Sequence, residues 1–280
     1  YKSIKDKELS YKIYSALEEN HLMRIETTTK QGIFNAYEVV KPYYDKKVKL
    51  RKPKRRSVDF NQGVDARLFT PHMAKQFARI AINPLRIAFD NMAIKDTYVA
   101  AIKMCQQEGL RKFSNYILYN FNDEPIDLYR RLKINVELCE ELDIDIYSFP
   151  MKYHPLFDEH SHDRNFIGKK WNMKYIRSVQ AVLNVTKGCI GRGLSFFYRA
   201  FGRTEKEYFD ILLMPDAMIL YRFFFEWLEN KGHKLSKYRW ERIINNLSET
   251  EKAYFIEYIN SEDDGAPQHT FIEELKPFYV

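Results

Sequence analysis

Four stretches of the sequence read as β-strands at similar intervals, beginning near Ser57, Leu85, Ser114 and Ile144. Each of the first three is followed by a helix-length amphipathic segment, so the pattern is a repeated strand–helix unit. Successive strands in such a repeat run parallel, and their carboxyl ends meet on one side, where these folds place their chemistry. Those ends read Asn61-Gln62-Gly63, Asp90-Asn91, Asn120-Phe121-Asn122-Asp123 and Pro150-Met151-Lys152-Tyr153-His154. They form a row of polar tips able to converge on one pocket.

The strands are expected over residues 57–61, 85–89, 113–119 and 144–149. Helices are expected over 71–80, opened by Pro71, over 94–108, stopped by Gly109, and over 124–142. In the last of these, Leu128, Tyr129, Leu132, Val136 and Cys139 recur at helical steps as one buried stripe. Upstream, 3–20 reads as an amphipathic helix, and 22–28 with 33–41 reads as a hairpin turning at Lys30-Gln31-Gly32. After His154 a polar irregular stretch, 155–168, leads into helices over 172–187, 194–201, 205–213, 216–230, 236–246 and 249–259. The expected organisation is therefore 1–56, a helix, hairpin and basic linker; 57–155, the strand–helix body; and 156–280, a helical C-terminal extension.

Of the 280 residues, 45% are apolar and only 10 are Gly and 10 Pro, which excludes a mostly disordered chain and disfavours an all-β design. The net charge of +7 favours an anionic partner. Much of the excess lies in the run from Lys46 to Arg56, which reads as a linker, an anion-binding arm or the border of a missing segment. As an arm for nucleic acid or another polyanion, it would release counterions and bind less tightly as salt rises. The cysteines, Cys105, Cys139 and Cys189, are odd in number and far apart, which argues against a disulfide framework and a metal knuckle and favours a cytoplasmic setting. No secretory leader or membrane-spanning run is legible. The richest apolar window, 211–227, is broken by Pro215, Asp216, Arg222 and Glu226.

His154, His160 and His162, with Asp158, Glu159 and Asp163, match metal ligands by composition, and a solvated loop is the plainer reading. Gly-x-Ser-x-Gly and GxxxxGK are both absent. The glycine-rich run Gly188-Cys189-Ile190-Gly191-Arg192-Gly193 follows no strand and reads as a break between helices.

Taken in order, Val58-Asp59-Phe60-Asn61-Gln62-Gly63-Val64-Asp65-Ala66-Arg67-Leu68, Ile87-Ala88-Phe89-Asp90, Tyr116-Ile117-Leu118-Tyr119-Asn120-Phe121-Asn122-Asp123 and Phe149-Pro150-Met151 resemble the later βα units of radical S-adenosylmethionine (radical SAM) enzymes. The resemblance covers residues 57–155. It implies an α/β fold, a partial (βα) barrel of radical SAM type, followed here by the helical extension. It also implies S-adenosylmethionine as cofactor and a [4Fe–4S] cluster held by cysteines spaced CxxxCxxC. An electron donor would reduce the cluster, and a 5′-deoxyadenosyl radical would then abstract hydrogen from an unknown substrate. CxxxCxxC does not occur in the chain. Either the cluster is carried by a segment outside this chain, which fits the start at Tyr1 rather than Met, or the protein is a relative without it.

Position by position, the resemblance implies Asp90 on the cofactor's ribose hydroxyls, Asn120 and Asn122 on ribose or adenine, and Met151 on adenine. It implies Asn61, Gln62 and Asp65 on the substrate or the methionine end. Read as residues alone, Asp90 serves equally as a turn former or helix cap. Asn61 and Gln62 then satisfy a strand end, and residues 120–123 form a loop before Glu124-Pro125. Two functions are expected: a radical SAM-type enzyme domain, or a cluster-free barrel relative that binds a polyanion through residues 46–56. A cluster-free enzyme using strand-tip carboxylates is a third.

Overall fold

The computed structural model describes residues 7–48, 57–157, 160–161, 163–221, 224–225, 232, 237–261 and 269–279. The chain divides into two compact units, Tyr1–Arg56 and Ser57–Val280.

The first unit is helical. It contains α1 (Lys7–Glu19), a 3-10 turn at Ile25–Thr27 and α2 (Lys30–Val48), so the expected hairpin over 22–41 is not formed. Two local features explain the difference. Thr29 Oγ1 accepts from the Gly32 amide at 3.0 Å, which makes Lys30-Gln31-Gly32 the first turn of a capped helix. Gly32 also serves close packing: a Cβ there would lie 2.6 Å from the Asn20 carbonyl oxygen. With Ala36, buried one turn later, and Ala16, buried on α1, it lets the two helices approach closely. The apolar residues of 33–41 had the composition of a strand, but the small residues sit at helical spacing. Of the basic tract, 49–56 lies outside the described residues.

The second unit is built on a parallel sheet of β1 (Leu85–Arg86), β2 (Lys112–Tyr119) and β3 (Asp145–Lys152), ordered β1-β2-β3. Arg86 pairs with Ser114, Ser114 with Tyr147, Tyr116 with Phe149 and Leu118 with Met151. The mixed α/β class is as expected. The first expected strand is not a ladder: Val58 bridges Ile82 and Val64 bridges Ile87, both parallel. Between the two bridges the outer segment advances six residues while its partner advances five. The extra residue is a bulge that lifts 59–63 off the pairing line. Beyond β1, backbone bonds continue from Ile87 N to Ser114 O and from Ala88 N to Val64 O.

The connecting helices are α3 (Pro71–Ala78), α4 (Lys95–Gln107) and α5 (Pro125–Leu142). Thr70 caps α3, and Glu124 with Asp127 forms a reciprocal capping box on α5. Both α4 and α5 cover the same face of the sheet. Ala101, Ile102, Cys105, Leu138 and Cys139 share one buried cluster with Phe113 and Ile146, which are register partners.

The later part is helical, as expected: α6 (Met173–Val185), α7 (Leu194–Phe201), α8 (Glu205–Leu213), α9 (Asp216–Leu220), α10 (Lys237–Asn246), α11 (Glu249–Asn260) and α12 (Thr270–Leu275). Its core is continuous with the sheet, since Phe197, Tyr208, Leu212 and Trp240 belong to the same buried cluster as Ile117, Tyr119, Leu128 and Leu132. The glycine-rich run separates α6 from α7, and Ile190 within it forms an antiparallel bridge to Ser148 on β3. No helix among the described residues is long and apolar enough to cross a membrane.

Candidate functional site

Side chains alternate across a strand, and here the alternation separates two different surfaces. Phe113, Ile117, Tyr119 and Ile146 face the helices and are 0–2% exposed. On the opposite face Tyr116, Tyr147 and Met151 are 41, 39 and 47% exposed. The register sorts this open face into rows. Arg86, Ser114 and Tyr147 form the base row, and Tyr116 and Phe149 the middle row. Leu118 and Met151 form the row at the strand tips, and Asp90 stands beside it, three residues past the last backbone bond to β2, with its carbonyl and that of Leu118 on the same Arg131 guanidinium.

The base of this face is charged and aromatic. Arg86 donates from Nε to Asp59 Oδ1 at 3.2 Å and from Nη2 to Asp59 Oδ2 at 3.1 Å. Its Nη1 donates to the Tyr116 hydroxyl at 2.7 Å, and the guanidinium carbon lies 5.2 Å from the Tyr116 ring centre. The hydrogen bonds to the Asp59 carboxylate hold the guanidinium's pKa above its ordinary value. The Ser114 hydroxyl beside it is buried and has no hydrogen-bond partner among the described residues.

Beneath the tips lies Arg131, whose side chain is fully buried. Nη1 donates to the Asp90 carbonyl at 2.8 Å and the Phe89 carbonyl at 3.4 Å. Nη2 donates to the Leu118 carbonyl at 2.8 Å and to Asp123 Oδ2 at 3.1 Å, and Nε donates to the Asp127 carbonyl at 3.2 Å. One guanidinium therefore ties the ends of two neighbouring strands together. Burial pushes the Arg131 pKa down and the Asp123 carboxyl up, in each case against the pull of the partner charge. Asp123 also accepts from the Phe121 amide at 2.9 Å, which fixes the turn after β2.

The candidate residues separate into distinct environments. Met151 lies in the tip row and Asp90 beside it, and both are exposed. The Asp90 carboxylate has no hydrogen-bond partner among the described residues, while its backbone carbonyl is held by Arg131. Asn122 is exposed in the turn after β2, and Asn61 and Gln62 are exposed in the bulged segment. Asp65 caps the 3-10 turn Ala66–Leu68, and its carboxylate is bound by Arg67 at 2.7 Å, so its oxygens serve the local turn.

Asn120 is a correction to the expected ribose or adenine contact. It is 0% exposed with φ of 72°, and its amide is committed to backbone groups. Nδ2 donates to the Phe166 carbonyl at 3.0 Å and the Tyr153 carbonyl at 3.3 Å, and Oδ1 accepts from the Gly168 amide at 2.8 Å. Asn120 thus fastens the loop after β3 to the tip of β2. Gly168 is required at that contact, since a Cβ would lie 2.6 Å from the Phe121 carbonyl oxygen. Asn120→Ala is expected to cost about 2–3 kcal/mol, because it strands buried backbone groups and removes a side chain suited to positive φ. Faster proteolytic cleavage within residues 153–171 would report the loosened loop, and unchanged cleavage would contradict this role.

The cysteines are placed away from the tips. Cys105 and Cys139 are buried in the helix-side core, where burial raises their thiols to about 12 and about 11. A thiol so far from ionising at neutral pH reacts slowly with electrophiles. Iodoacetamide at neutral pH is expected to leave both unlabelled in the native protein and to label both after unfolding, read by mass spectrometry. In the loop after β3, His154 Nδ1 lies 3.3 Å from the Asp163 carbonyl oxygen, and Asp158, Glu159 and His162 lie outside the described residues.

Sequence reasoning missed Arg131, Arg86 and Asp59. The signal for Arg131 was present, because it stands three residues after Leu128 on the apolar stripe of α5. For Arg86 and Asp59 it was a charge flanked by apolar neighbours in each of two adjacent extended segments. Comparison with protein-family models, with curated proteins and with solved structures found no match.

Proposed function

We propose that the tip row of the open sheet face binds the nucleoside part of S-adenosylmethionine, as the later strand–helix units of a radical SAM-type partial barrel. The observation that carries this reading is the composition of that row with Asp90 beside it. It combines an exposed carboxylate with no hydrogen-bond partner among the described residues, Asp90, with the apolar Leu118 and the thioether of Met151. A carboxylate accepts two ribose hydroxyls at once, and a thioether packs well on an aromatic base. Sequential strand order with both crossover helices on one face supports a barrel wall over a doubly wound sheet, in which helices cover both faces.

S-adenosylmethionine, when bound beside a [4Fe–4S] cluster, supplies a radical. The thiols of Cys105 and Cys139 do not fit such a cluster, because they are buried in the helix-side core and lack the CxxxCxxC spacing. The reading therefore assigns these residues the nucleoside pocket and no electron-transfer step. An enzyme of this kind takes its cluster from another segment.

Titration calorimetry of the purified chain with S-adenosylmethionine tests the proposal. Binding is expected, with adenosine competing and free methionine not competing. Absence of binding, or competition by methionine alone, would overturn it.

A further inference from the structure

A cleft of about 660 Å³ opens between α6, the start of α9, the end of α11 and the C-terminal turn Lys276–Phe278. None of the tip-row residues lines it. At its floor is Lys174, whose side chain is 8% exposed. Nζ donates to Ser178 Oγ at 2.9 Å, the Met214 carbonyl at 2.7 Å and Asp216 Oδ1 at 2.6 Å. An ammonium has three donors and all three are used, so Lys174 fixes the floor rather than reacting. Burial pushes its pKa down, against the pull of Asp216.

With Lys174 and Asp216 cancelling each other, the charge of the cleft comes from its rim. Arg177 and Lys276 line the cleft, both are exposed, and neither has an anionic partner among the described residues. Two cations lining one cavity without an anionic partner among the described residues match a dianion, and a guanidinium presents the forked donor pair that phosphate oxygens accept. The remaining wall carries Tyr258, half-buried and with its hydroxyl unbonded among the described residues, while Phe255 and Phe278 are buried at its base. We infer that this cleft binds a phosphate monoester carried on a flat aromatic group, at a site separate from the strand tips.

Titration of the whole chain with phenyl phosphate, inorganic phosphate and benzyl alcohol tests the inference. Phenyl phosphate is expected to bind more tightly than either of the others, and more weakly as salt rises. The double variant Arg177→Gln/Lys276→Gln is expected to bind it about tenfold less tightly, since each exposed cation contributes a fraction of the tenfold step. Its circular dichroism and its affinity for S-adenosylmethionine are expected to stay unchanged. No binding of phenyl phosphate, equal affinity for inorganic phosphate, or an unaltered double variant would each overturn the inference. Glu262, Asp263 and Asp264 follow Ser261 in the sequence. Binding that emerges only in E262Q/D263N/D264N would overturn it as well.

Discussion

Arg131→Met is expected to destabilise the Ser57–Val280 unit by about 3–5 kcal/mol, the scale observed when one partner of a buried ion pair is removed. The cause is specific. The substitution leaves the carboxylate of Asp123 in a site with 10% exposure and without its cation. It also strips the carbonyls of Phe89, Asp90, Leu118 and Asp127 of a donor. Arg131→Lys keeps the charge but not the fork, so it is expected to lose a substantial part of the same stability. Urea denaturation of the three proteins, followed by far-UV circular dichroism, reads the effect. A midpoint for Arg131→Met equal to that of the parent would contradict the account of the strand tips as a tied pair.

Asp90→Ala is expected to leave stability within about 0.5 kcal/mol of the parent, because the carboxylate is exposed and hydrogen-bonded to no group among the described residues. Its expected effect on S-adenosylmethionine is large. Hydrogen bonds to a charged group contribute about 1.5–3 kcal/mol, so losing the ribose contact weakens binding roughly 10–100-fold. The contrast with Arg131 separates the two roles: one residue holds the tips in place, and the other presents chemistry from them. Titration calorimetry on Asp90→Ala decides the point. An affinity equal to that of the parent would remove Asp90 from the pocket.

The middle of the fold was legible because its signals are local. β2 and β3 are runs of strand-forming residues closed by turn residues, and the helices between them carry clear stops: Gly109 after α4 and, after α5, Asp143 at φ of 50°. The first strand was legible as composition but not as pairing, since nothing in Ser57-Val58-Asp59-Phe60-Asn61 announces that the chain advances six residues against five. The N-terminal hairpin was misread for a related reason. Gly32 has the composition of a turn, and its packing against Asn20 becomes visible only when two helices are placed together.

The site was legible where it follows strand ends and hidden where it depends on tertiary partners. Asp90 and Met151 each stand at the end of an apolar run, which a sequence displays directly. Asn120 stands at an equally plausible tip. Its fate was set by Phe166 and Gly168, more than 40 residues away, whose backbone groups occupy its amide. Arg131 shows the converse: a charge on a buried helical stripe is a sequence anomaly, and its explanation, the carbonyl ends of two strands, lies across the fold.

The most direct test is a crystal structure of the chain grown with S-adenosylhomocysteine, which carries the same nucleoside. The account predicts the adenine against Leu118 and Met151 and the ribose hydroxyls on the Asp90 carboxylate. A nucleoside bound elsewhere, with the tip row bare, would contradict it.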